Sequence, residues 1–183
     1  MLGLARHAAL PSAAVLLALS GTAEAREVTP QEREALAERV AAYSVAVNEG
    51  DLGALFDMVP PRIIAMIVER AGLPLAEARA QFAAAAGAVM DMATAFSFKL
   101  DVASVRFLEL ADGSPYALIP SETYVALDDI AVRTRSDTLA LLDEAEWYLV
   151  RVDEIEQIAI LQSVYPLFAG LEFNGPVTQL IEP

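Results

Sequence analysis

PYALIPSETYVAL at 115–127 and IAVRTRSDTLALL at 130–142, joined only by Asp128-Asp129, decide the fold. Residue character changes with a period of two in both runs, which places successive side chains on opposite faces of a strand. So short an acidic link reads as a hairpin turn and makes the two runs antiparallel neighbours. Strand-like runs also lie near 97–110 and 147–152, set off by Asp112-Gly113 and by Asp143-Glu144-Ala145-Glu146. The connections predict an antiparallel meander. Pro120 sits inside the second run, so it must occupy a bulge or a position whose missing N–H is not needed.

Upstream the period is helical. Thr29-Pro30-Gln31-Glu32 offers a capping residue, a proline for the first turn and a capping-box glutamate. Leu36, Val40, Tyr43 and Val47 follow as one apolar stripe, and Asn48-Glu49-Gly50 stops it. Asp51 can cap a short helix through Met58, Pro61 can open another that ends at Gly72, and a longer one is expected from Pro74 to about Ala93. A last helix is expected over Glu154 to Val164, with an irregular tail from Gly170. With no repeat or linker, these elements make a single α+β domain over 26–183, with its core at about 30–165 and a tail at 166–183.

The first 25 residues read as an export signal. Arg6 and His7 form a polar start, Ala13 to Leu19 is apolar, and Ala23-Glu24-Ala25 fits an A-x-A cleavage site. That stretch is well short of the roughly 20 residues that span a bilayer. Arginine in place of lysine and abundant alanine fit a GC-rich bacterial genome, so a periplasmic or secreted protein is expected. Cleavage removes His7, the one histidine, and there is no cysteine, so disulfides, Ser-His-Asp and Cys-His catalysis and ordinary zinc sites are excluded. The acidic turns lack the alternating spacing of a calcium loop, and no glycine-rich phosphate cradle is present; neither metal nor cofactor is expected. Without Arg6 and Glu24 the chain keeps 11 basic and 25 acidic residues, a net charge of −14. Such a surface repels phosphate backbones and anionic headgroups, which argues against nucleic-acid and membrane partners.

Asn48-Glu49-Gly50-Asp51-Leu52 between two helices, and Glu146-Trp147-Tyr148-Leu149-Val150-Arg151-Val152 on a late strand, carry a resemblance. In these stretches and in the order of its elements, the chain resembles the nuclear transport factor 2-like superfamily, which includes SnoaL-like cyclases and ketosteroid isomerases. The resemblance covers about residues 30–165. It implies N-terminal helices packed on a curved, cone-like antiparallel meander, followed here by a C-terminal helix. Dimerisation through the outer face of the sheet fits the superfamily's habits, so a homodimer is among the expected partners. Segments 61–93 and the C-terminal helix and tail depart from the usual pattern.

Register supplies a candidate site. A two-residue loop at Asp128-Asp129 places Tyr124 opposite Arg133 and Glu122 opposite Arg135. A four-residue loop at 143–146 places Leu141 opposite Tyr148 and Leu139 opposite Val150. One face then carries Tyr116, Leu118, Glu122, Tyr124, Arg133, Arg135, Leu139, Leu141, Tyr148 and Val150, and it is preferred as the concave one. Ser121, Thr123, Thr134, Ser136, Thr138 and Trp147 fall on the opposite face. Glu122 is the candidate base, with Tyr116, Tyr124, Arg133, Arg135 and Tyr148 as ligand-binding residues. The plain alternative is a cross-strand Glu–Arg pair. Trp147 is read as core or rim, and Asp91 as solvent-facing. The expected function is an exported domain that binds a small apolar or amphipathic molecule, or a protein partner. The alternative is an acid–base isomerase or cyclase built on Glu122 and the tyrosines.

Overall fold

A computed structural model describes residues 27–181, so the expected export signal and His7 lie outside the described residues. Four helices come first, α1 (Pro30–Glu49), α2 (Leu52–Asp57), α3 (Pro61–Ala71) and α4 (Leu75–Asp91). The capping box closes as read: the Glu32 amide donates to Thr29 Oγ1 at 3.2 Å and the Thr29 amide donates to Glu32 Oε2 at 2.9 Å. Gly50 ends α1 at φ 70, a left-handed conformation that favours glycine, and the Asp51 carboxylate then accepts from the Ala54 amide to start α2. Proline at 61 supplies the first turn of α3.

Six strands follow: β1 (Ala95–Leu100), β2 (Arg106–Glu109), β3 (Pro115–Leu127), β4 (Ile130–Asp143), β5 (Glu146–Arg151) and β6 (Val177–Ile181), with helix α5 (Ile155–Val164) between the last two. The long β3–β4 hairpin is the spine of a curled antiparallel half-barrel, and the whole is an α+β, cone-like fold. β1 and β2 share the outer side of β3, and β5 and β6 share the outer side of β4.

The expected single strand at 97–110 is two strands broken by a short 3-10 turn, Val102–Ser104. Pro120 explains the break. The tight Leu127–Ile130 turn makes that pair hydrogen-bonded, and bonding alternates along the ladder from there. The backbone of Pro120 therefore faces away from β4, toward the outer neighbour, where proline has no N–H to offer. Its carbonyl accepts from the Asp101 amide at 2.8 Å and the partner chain then leaves the ladder until Arg106.

The β4–β5 connection is also tighter than read. Asp143 pairs with Glu146, so the loop is Glu144-Ala145 alone, at φ 49 and 69, in place of the expected four residues. The register is unchanged, with Leu141 opposite Tyr148 and Leu139 opposite Val150. Two positive φ angles are the requirement of a tight hairpin turn, and an L-residue with a Cβ there costs roughly 1–2 kcal/mol. Ala145→Gly is therefore expected to stabilise the protein by about 0.5–1 kcal/mol, read as a higher urea midpoint. A lowered midpoint would refute the left-handed assignment.

Both faces of the sheet are covered over the half that contains β5. On one face Leu36 and Val40 of α1 pack against Ala117, Ile119, Ala140, Trp147 and Leu149. On the other, Ile63 of α3, Leu161 of α5 and Phe168 of the 3-10 turn Pro166–Phe168 pack against Tyr116, Leu139 and Leu141. Each large side chain sealed there contributes roughly 1.5–3 kcal/mol. The tail is not irregular as expected: Leu171 and Phe173 pack on the second core, and β6 then pairs Ala131–Arg135 of β4. No helix among the described residues is long and apolar enough to cross a membrane.

Candidate functional site

The six residues singled out in the sequence fall into two groups. Glu122 stands between two guanidiniums, accepting from Arg135 Nε at 2.9 Å with Arg133 Nε at 3.6 Å, and Tyr124 lies directly across from Arg133. β6 runs alongside both arginines. These side chains are one-third to one-half exposed, and a shallow open depression lined by Lys99, Pro120 and Ser136 adjoins Glu122. Exposed pairs of this kind stabilise by about 0–1 kcal/mol.

Tyr116 is six residues away on β3, roughly 20 Å at strand spacing. It is buried, with its ring edge-on to Phe168 at 5.6 Å. Tyr148 donates to the Glu146 carboxylate at 3.1 Å, and Arg39 lies over its ring. The face preferred as an open, concave wall is thus closed at its Tyr116–Tyr148 end by α3, α5 and Phe168, and open at its Glu122 end. Trp147 is core, 2 % exposed, and its indole N–H donates to the Glu32 carbonyl of α1 at 2.8 Å. Asp91 is exposed, as read.

A better-formed cavity of about 280 Å³ lies where the four N-terminal helices meet β5 and α5. Leu55 comes from α2, Val59 from the link that follows it, Ile63 and Ile67 from α3, Phe82 from α4, and Ile160 from α5, with Leu149 and Val150 of β5 behind them. Phe82 and Ile67 form a half-exposed lip, and Phe56 supports Phe82 edge-on at 5.6 Å. The apolar residues of three separate helices converge here because Pro60-Pro61 and Gly72 break the chain between them and α4 packs back on α2 and α3.

One end of this cavity is polar. Arg151 donates through Nε to Asp153 Oδ1 at 3.2 Å and through Nη2 to Oδ2, while the Asp153 side chain is only 4 % exposed. Tyr43 of α1 faces the same end, its ring edge-on to Phe98 at 5.8 Å. Burial pushes its hydroxyl above the ordinary phenol range, against the opposing pull of Arg151, so it remains protonated and able to donate. Gln157 completes the wall. Its Nε2 donates to Glu154 at 3.2 Å, which fixes the amide orientation because a carboxylate only accepts, and its Oε1 is buried with no donor among the described residues.

A second polar cluster closes the neighbouring cavity of about 290 Å³. The Tyr165 hydroxyl donates to Asp143 Oδ2 at 2.8 Å and Arg62 holds Oδ1 at 3.1 Å. Burial, followed by the bond to Asp143, pushes the Tyr165 hydroxyl far above its usual range. Both carboxylate oxygens and the phenol proton are engaged within the protein, so this network ties α3 and the end of α5 to β4. Among the described residues no cluster of three or more acidic, histidine or cysteine side chains is placed to hold a metal ion. No family model, curated protein or solved structure matches the chain.

Of the cavity wall, sequence reading placed Tyr43 on the apolar stripe of the first helix and Val150 on the sheet face. It missed Arg151, Asp153 and Gln157, whose signal is weak: a strand-end arginine two residues before an aspartate, and a lone glutamine in a helix's first turn.

Proposed function

We propose that this chain is an exported bacterial binding domain of the nuclear transport factor 2-like type, cleaved near Ala25, that holds a small amphipathic molecule. The observation that carries the reading is the cavity between the helices and β5, apolar over most of its wall and polar only at Tyr43, Arg151 and Gln157. Its volume lies at the lower edge of the roughly 300–1,000 Å³ common among small-molecule sites, and its build, an apolar body with a few convergent polar groups, is theirs. An acid–base enzyme has less support. Glu122 is held between two arginines on an open surface, and Asp143 has no free oxygen.

The test is a fluorescence titration with an environment-sensitive naphthalene probe, alongside native mass spectrometry of protein drawn from periplasm. Ile67→Trp, which fills the mouth from a half-exposed position, is expected to weaken probe binding at least tenfold while leaving the urea midpoint nearly unchanged. Glu122→Gln is expected to bind as the parent does. If the parent retains nothing small and the probe does not bind, the reading is wrong and a protein partner takes its place. Loss of binding in Glu122→Gln alone would move the site to the sheet surface.

A further inference from the structure

We infer that the head group this cavity selects is an uncharged carbonyl, as in an amide or an ester, and not a carboxylate, an inference that rests on the binding reading above. The hydrogen-bond inventory of the polar end sets the chemistry. Arginine carries five N–H groups, and Arg151 spends two of them on Asp153. Three remain without a partner among the described residues. The Tyr43 hydroxyl makes no hydrogen bond to any described residue either, and its burial keeps it a donor. A carbonyl oxygen placed between them accepts from both. Gln157 Oε1, though without a donor among the described residues, is sealed even from a water molecule and takes no part in the head-group contacts.

Charge excludes the obvious alternative. A free guanidinium at the end of an apolar cavity would favour a fatty-acid-like anion, but this one is already matched. Asp153 neutralises it from a nearly sealed position, and Glu154 adds a second negative charge to its field. Glu154 also receives the Gln157 amide, which ties that carboxylate to the cavity wall. A ligand carboxylate would thus be a third anion beside one cation, in a chain of net charge −14, and taking it out of water would go uncompensated. An amide or ester carbonyl accepts from the same two donors without bringing the charge.

Three probes of one skeleton separate the cases: hexanamide, methyl hexanoate and hexanoate, competed against the naphthalene probe at pH 7 on protein expressed from its full coding sequence. Hexanamide and methyl hexanoate are each expected to bind at least tenfold more tightly than hexanoate. Tyr43→Phe removes a hydroxyl with no partner among the described residues, so the fold survives, and the affinity for hexanamide relative to the naphthalene probe is expected to fall roughly three- to tenfold. Hexanoate binding as tightly as the amide, or an amide affinity untouched by Tyr43→Phe, overturns the head-group assignment and leaves the cavity standing. Failure of all three competitors together with failure of the naphthalene probe overturns the cavity reading itself.

Discussion

Trp147→Ala is expected to destabilise the protein by about 3–5 kcal/mol, a large part of the 5–15 kcal/mol that holds an ordinary domain together. The indole is 2 % exposed and lies in the core where α1 meets the sheet, with Leu36 and Val40 on one side and Ala140 and Leu149 on the other. Small residues on β3 and β4, Ala117 and Ala140, leave room for one large ring, and no other aromatic in that cluster is fully buried to replace it. The hydrogen bond from Nε1 to the Glu32 carbonyl is the smaller part of the loss, because that carbonyl also accepts the bond that α1 makes to itself one turn on. Trp147→Phe, which keeps most of the volume and loses the bond, is accordingly expected to cost about 1–2 kcal/mol. Urea denaturation of the two variants decides it. Equal losses would make the hydrogen bond dominant, and a loss below about 1.5 kcal/mol in the alanine variant would mean that α1 does not depend on this ring.

Tryptophan 147 also marks the limit of what the sequence makes legible. Its burial follows from a period-two strand beside a tight turn, and the pairing of Tyr124 with Arg133, Glu122 with Arg135 and Leu141 with Tyr148 follows from loop length alone. Those are local relations, fixed within a few residues of each turn. The caps at Thr29 and Asp51 are local in the same sense. What covers each face is not local. Phe168 closes over Tyr116 from 52 positions downstream, and β6 returns to β4 through a tail whose Asn174-Gly175-Pro176 carries no strand signal. The break at Val102–Ser104 was hidden for a related reason: the proline that causes it sits on the neighbouring strand.

The candidate cavity is less legible still, since its wall is drawn from six elements, none with a motif. Glu122 stood out because a carboxylate, three tyrosines and two arginines share one face, yet sharing a face does not enclose a volume. Tyr43 reads as an unremarkable member of a helix stripe, and Ile63 and Ile160 carry no signal of their own. They become a site only because α1 runs alongside β5 while the broken helices α2 to α4 fold across its end. Arg151 then enters as the last residue of the strand and Asp153 as its counterion, an arrangement that depends on the turn into α5.

Asn48→Ala is the second large effect, expected at about 2–4 kcal/mol. Bonding alternates along β3, so Phe98, opposite Thr123, directs its amide and carbonyl away from β3 toward the open edge of the sheet. Asn48 meets them there as a further strand would: Phe98 N–H donates to Asn48 Oδ1 at 2.9 Å and Nδ2 donates to the Phe98 carbonyl at 2.9 Å. Nδ2 also donates to the Ser44 carbonyl at 2.7 Å, so one side chain ties the last turn of α1 to β1. Phe98 is 5 % exposed, so water cannot fully replace the lost partner, and each orphaned buried group costs about 1–3 kcal/mol. Asn48→Asp is the discriminating variant. It keeps an acceptor for the Phe98 amide but sets a carboxylate against two carbonyls, and it is expected to lose nearly as much as alanine. The consequence reaches the cavity, because the Phe98 ring is what Tyr43 packs against at its polar end. Even under conditions where Asn48→Ala stays folded, hexanamide binding is expected to weaken by about the factor seen in Tyr43→Phe, through a hydroxyl that is present but no longer held. An aspartate variant as stable as the parent would remove the strand-mimic role. Full amide affinity in a folded alanine variant would sever the link from this clamp to Tyr43.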